Sequence, residues 1–291
     1  MFRIGYCEEL EAAPLLRISG RNRPVGSDRL LLPQPMLGYG ALINGLDEGR
    51  LDGAIMPSLL AVMLHVGLVR APLELGRGQL LARQGGALVF KTDALAAKSA
   101  QRIAFTALNP SSFWLNRAVA MGHLPAGKDF KTVILPITEL APRLKEGAIM
   151  GFFGPDLIAL EACASQPGLT LLGSGQLAPL HPSSVFVLRR EAALLHPDAA
   201  SAARAALAKS AHECHLLSQE SSGWATLLGS EKPLPPFLLH TDYTSKISLR
   251  YVGRQLPGWQ KTDTDFIFEK ARLAFRSRGD FKDKITQLFI E

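Results

Sequence analysis

The residues best equipped for chemistry in this sequence stand at spacings that disqualify most of them. His212 and His215 lie three apart in the run HECH, on one face of any helix that carries them, with Cys214 between. A zinc-hydrolase helix needs two residues between its glutamate and the second histidine. Glu213 leaves room for one, so the pair reads as a helix-surface or partly buried feature. The stretch GHLPAGKD, residues 122 to 129, falls one residue short of a phosphate-binding loop. Gly122, Gly127 and Lys128 fit, but Asp129 stands where a serine or threonine would hold magnesium. It also follows a helix-like segment rather than a strand, and reads as a helix-to-strand turn. Cys7, Cys163 and Cys214 form no CxxC pair, so neither a disulfide framework nor a zinc site is written here. Cys7 and Cys163 sit in apolar runs and read as buried thiols. There is no GxSxG elbow, and LGSGQ (172–176) reads as a turn. With no nucleophile beside a base and no cofactor motif, the expectation is a protein that is not an enzyme and holds no metal or cofactor.

What is left to recognise a ligand is main chain and neutral side chains at the starts of helices, so the elements that position those starts matter most. The chain has 291 residues, 47% hydrophobic and 20% charged, enough to bury a sizeable core in about two domains. The 32 basic and 26 acidic residues give a net charge of +6, without a lysine–arginine block of the kind nucleic-acid arms carry. Direct nucleic-acid binding is therefore not expected. The apolar run 53–69, free of charged side chains, is shorter than the ~20 residues of a membrane helix. It carries Pro57 near its start and reads as a strand followed by a buried helix. Met1 leads straight into an alternating strand pattern with no leader features, so a cytoplasmic address is expected, or a periplasmic one if an export signal has been removed.

Strand-like and helix-like segments alternate with short links, the grammar of a mostly parallel α/β sheet. One sentence of that grammar is written twice. LDEGRLDGAIMP (46–57) and LKEGAIMGFFGP (144–155) each run leucine, Glu-Gly, an apolar strand-like run, and a proline eight residues after the glycine. Each glycine suits the left-handed end of a helix and each proline the first turn of the next. The repeat fits two α/β lobes. GGALVFKTDAL (85–95) and SSVFVLRREAALLHPD (183–198) bracket the middle segment as crossing strands. This puts lobe one at 1–87 plus 190–291 and lobe two at 88–189. The tail, in which TDTDFIFEKARLAFRSRG is the clearest helical element, is expected to pack back on lobe one.

The order of these pieces resembles the type II periplasmic-binding-protein fold, two Rossmann-like lobes joined by two crossover strands. It is most similar to the nitrate- and bicarbonate-binding proteins of ABC transporters and the related cytosolic nitrate sensors. The resemblance covers nearly the whole chain. It rests on RIGYCEELEAAPLL, EGRLDGAIMP, WLNRAVAMGHLPAGKDFKTVILP, LKEGAIMGFFGPDLIALEA and HPSSVFVLRREAALLHPDA, in that order.

The resemblance implies a ligand between the lobes, outside the carboxyl ends of the strands, where helix N-termini offer unpaired N–H groups. On lobe one this points to Glu11, Gly38, Tyr39, Pro57 and Ser58, and on lobe two to Asn109, Ser111, Ser112, Gly154 and Pro155. Gln84 and His181 lie near the crossings. The chain departs from the nitrate-binding pattern at two places: Leu37-Gly38 stands where those proteins carry a tryptophan, and Ser111 where they carry a histidine. Asp156, in the first turn of its helix, would repel an anion bound there. The implied role is binding a small solute, nitrate, nitrite or a related anion, as a cytosolic sensor whose partner is an RNA-binding antiterminator. The alternative is the solute-binding part of an ABC importer, with a permease as partner. A cytosolic enzyme of the same fold is a third reading that no residue pair supports.

Overall fold

The computed structural model describes residues 1–7, 9–19, 30–68, 73–93, 101–106, 111–127, 129–228, 246–252, 259–275 and 281–289. The chain builds two separate sheets, which bears out the two-lobe expectation. In the first, β1 (Phe2–Tyr6) pairs in parallel with β2 (Leu31–Pro35) and β3 (Gly53–Pro57). Beyond β3, β10 (Pro182–Leu188) runs antiparallel, followed by β4 (Gln79–Arg83) and the short β11 (Arg250–Tyr251). In the second, β6 (Gln101–Phe105) pairs in parallel with β7 (Phe130–Ile134) and β8 (Gly151–Gly154). There β5 (Ala87–Lys91) runs antiparallel to β8 and to β9 (Leu169–Gly173). The sheets share one plan: three parallel strands, then two that cross between lobes. The return strand β10 lies in the first sheet, so the chain recrosses between Gly173 and Pro182, earlier than a lobe-two span ending at residue 189.

The written-twice sentence is the central strand of each sheet. Gly49 and Gly147 both close a helix at positive φ, 72° and 76°, and Pro57 and Pro155 both cap the helix that follows. Gly53 and Gly151 open β3 and β8 under the crossing strand. A Cβ on Gly53 would lie 2.5 Å from the carbonyl oxygen of Val187, and one on Gly151 would run into that of Val89. Gly53→Ala is therefore expected to cost about 1–3 kcal/mol of stability through backbone displacement. Gly40, with nothing within 4 Å of its would-be Cβ, should accept alanine without loss. Urea unfolding of the two variants checks the contrast.

Period-2 alternation sorts the strand side chains between two layers. Ala54, Met56, Val185 and Val187 face a cluster with α2 (Tyr39–Asp47), α3 (Ser58–Val66), α11 (Lys261–Phe275) and α12 (Lys282–Phe289). Ile55, Phe186 and Leu188 face α1 (Glu9–Ser19) and α9 (Pro197–Leu217), whose Ala200, Ala203, Leu207 and Ala211 recur at helical spacing. The second sheet divides the same way, with Leu88, Phe90 and Phe153 on one face and Val89, Ala104 and Phe152 on the other.

The segment LEAAPLLRI is helical within α1 although Pro14 lies inside it. Proline cannot bond the carbonyl four residues back. That carbonyl, on Leu10, instead accepts from the Tyr251 hydroxyl at 2.7 Å, and the buried face Ala12, Ala13, Leu15 and Leu16 holds the helix. The tail packs on lobe one as expected, through Ile267, Ala271, Ile285 and Phe289. It also reaches lobe two, because Phe266 of α11 meets Phe113 of α4 (Ser111–Ala120) edge-on at 5.1 Å.

Candidate functional site

Three chain segments meet where the lobes join. Gln84, at φ 61°, turns the chain out of β4. With its amide oriented to satisfy both ends, Nε2 donates to Ser248 O at 2.8 Å and Oε1 accepts from Leu180 N at 3.1 Å. Asp156, the first residue of α6 (Asp156–Ser165), comes from lobe two and is buried. Its Oδ2 accepts from the amides of Ser248 at 3.0 Å and Leu249 at 2.9 Å, and Oδ1 lies 2.9 Å from Ser248 Oγ. Ser248 Oγ is also 3.0 Å from Gly86 O. One hydroxyl proton cannot serve both. A protonated Asp156 completes the set, donating to Ser248 Oγ while that hydroxyl donates to Gly86 O. Burial raises the carboxyl pKa in that direction, against the hydrogen bonds from Ser248 and Leu249. The side chain expected to repel an anion at this helix start is spent on a strap between lobes.

The return crossing collects residues from lobe one in sequence order. Leu180 meets Gln84 as above, Pro182 O accepts from buried Ser58 Oγ at 3.0 Å, and Ser183 Oγ donates to Glu11 Oε1 at 3.2 Å. Between them His181 is buried against lobe two, its ring 5.3 Å edge-on from Trp114 and stacked on Phe266 at 5.4 Å. Its Nδ1 sits 2.8 Å from Ala178 O, an acceptor, which fixes Nδ1 as the protonated nitrogen of a neutral ring. Burial first, then the charges of Lys270, Arg117 and Arg83, hold its pKa down at about 3.

The unfolded chain binds a proton at His181 below pH 6.5 and the native protein does not. This stability is complete above pH 6.5 and is lost as pH falls toward 3. His181→Gln should flatten that limb of a pH–urea-midpoint curve.

The structure thus brings together Glu11, Ser58, Gln84 and His181. Ser111 opens α4 three residues before Trp114, placing the second-lobe helix start on the other side of the same seam; it is half-buried and Ser112 is exposed. Pro57 caps α3, Pro155 caps α6, and Gly154 ends β8 beneath Asp156. Gly38 caps α2 in extended backbone, Leu37 beside it is fully exposed, and Tyr39 packs on the lobe-one core. Asn109 lies outside the described residues.

The tail supplies side chains not anticipated from the sequence. Arg83 and Asp263, both buried, form a two-pronged ion pair at 2.8 and 2.7 Å. Lys270 is buried with its Nζ 5.0 Å from the centre of the Trp114 ring. The helical spacing of Asp263, Ile267, Lys270 and Ala271 was the available signal, since it sets a lysine on the buried stripe.

Among solved structures, the periplasmic nitrate-binding protein NrtA from Synechocystis PCC 6803 superposes with a TM-score of 0.74 at 18% identity, covering 99% of this chain and 86% of its own. The periplasmic aliphatic sulphonate binding protein SsuA from Escherichia coli gives 0.60 at 14% identity, covering 100% and 99%. These likenesses establish the type II fold. In sequence, the nitrate/nitrite binding protein NrtA of Synechocystis sp. is 25% identical over 235 residues, 73% of this chain and 53% of that protein. The chain spans about half the length of the curated relative it matches. The NMT1-like family model matches residues 2–225, most of the chain, and the protein belongs to that family.

Proposed function

We propose that the protein is a solute-binding protein whose ligand is a small anion held between the lobes. The observation that carries this is electrostatic: Lys270, Arg117 and Arg83 all bear on the buried His181, at the point where the helix starts of the two lobes flank the return crossing. The relatives support the class, being binding proteins for nitrate, nitrite and sulfonates. Cleft closure through the crossings would change the surface offered to a partner, by the ligand's differential affinity for the two states. That partner is an ABC permease in one version and an RNA-binding antiterminator in a cytosolic sensor. The relatives' names favour the first version.

Thermal-shift measurements against nitrate, nitrite, bicarbonate, methanesulfonate and neutral organic solutes test the ligand. Stabilisation by one of the anions is expected, and stabilisation by neutral solutes alone would defeat the reading. Co-purification of the tagged protein with permease subunits or with an RNA-binding protein separates the two versions.

A further inference from the structure

The structure assigns Lys270 Nζ and Trp114 Nε1, one donor from the C-terminal helix and one from lobe two, as the seat of a compact monoanion. This deepens the anion reading and rests on it. Trp114 Nε1 lacks the partner that burial demands, and Lys270 lies against the same ring. Trp114 is 1% exposed and its Nε1 has no hydrogen-bond partner. Lys270 is 7% exposed and makes no hydrogen bond or ion pair among the described residues. Phe153 covers one face of the indole at 4.3 Å, nearly parallel, so the ammonium lies on the other face.

A purely structural lysine here would rely on the ring beneath it. A cation–π contact recovers only part of the cost of taking an ammonium out of water. The ring does not offset that cost, and it does nothing for Nε1. An anion with two acceptor oxygens answers both donors at once, one above the indole face and one at its edge.

The neighbouring charges set the valence. Arg83 is matched by Asp263. Lys270 is the cation placed against the Trp114 ring, and a monoanion matches its single charge where a dianion such as sulfate overfills it.

The test is calorimetric titration of the full chain with sodium nitrate, sodium methanesulfonate and sodium sulfate, repeated on Lys270→Met and Trp114→Phe. Lys270→Met should weaken the bound monoanion on the order of 10- to 100-fold, and Trp114→Phe by a smaller factor in the same direction. Ligand-free Lys270→Met should melt no lower than the parent, since it removes an unpaired buried cation; a scaffold lysine would instead lower the melting temperature. Monoanion binding by Lys270→Met within twofold of the parent overturns the assignment and leaves the anion reading standing. Sulfate binding as tight as nitrate or methanesulfonate overturns the charge count. A parent protein that binds none of the three overturns both the assignment and the reading under it.

Discussion

Asp156→Ala should lower stability by about 3–5 kcal/mol, while Asp156→Asn should leave it nearly unchanged. Alanine strands the buried amides of Ser248 and Leu249 and removes the partner of the Ser248 hydroxyl. Each orphaned buried donor costs about 1–3 kcal/mol. Asparagine can set its carbonyl where Oδ2 stands, accepting from both amides, and its NH₂ where it donates to Ser248 Oγ. That is the hydrogen-bond pattern of a protonated Asp156, the state burial favours. The pH dependence follows in sign. A carboxyl whose folded pKa is raised holds a proton that the unfolded chain releases, so its contribution declines as pH rises through the interval above 3.8. Asp156→Asn should remove that decline. Thermal melts across acid pH measure both effects; an asparagine variant as damaged as the alanine one would mean the carboxylate is needed ionised.

Asp263→Ala should be as damaging, at about 3–5 kcal/mol, for a different reason. Arg83 is 3% exposed, and removing Asp263 takes away the carboxylate that its buried guanidinium meets at 2.8 and 2.7 Å. The same change removes the carboxylate that accepts from Gln260 N at 2.8 Å at the start of α11. Replacing both partners with apolar residues, Arg83→Met with Asp263→Leu, should recover much of the loss, because a buried pair contributes little beyond its own desolvation. Urea unfolding of the single and double variants decides it. A double variant no better than Asp263→Ala would show that the Gln260 bond, not the carboxylate beside Arg83, sets the cost.

The fold was legible because its signals are local. Gly49 and Gly147 end helices, Pro57 and Pro155 start them, and each such choice is made within four or five residues. The lobe boundary was harder, since nothing inside the run Ser183–Leu188 says which sheet it joins; its antiparallel pairing with β3 and β4 says so. The candidate site was approached in the sequence only at helix starts, where Ser58 and Ser111 were named through the family resemblance. The long-range contacts were not legible: the Arg83–Asp263 pair spans 180 residues and the Asp156–Ser248 strap 92. Gln84 was singled out as a ligand candidate through family likeness, yet both ends of its amide are bonded within the join.

Phe266 lies against the apolar cores of both lobes, its edge on Phe113 and its face on His181. The halves cannot part without peeling that ring from one of them, so the escape of a solute held between the lobes, as proposed, would be slowed by a contact that need not touch it. Each aromatic pairing is worth about 0.5–1.5 kcal/mol beyond its area. Shaving the ring to alanine should therefore shorten the residence time of a captured solute severalfold in stopped-flow release, and equal release rates would place the bottleneck elsewhere.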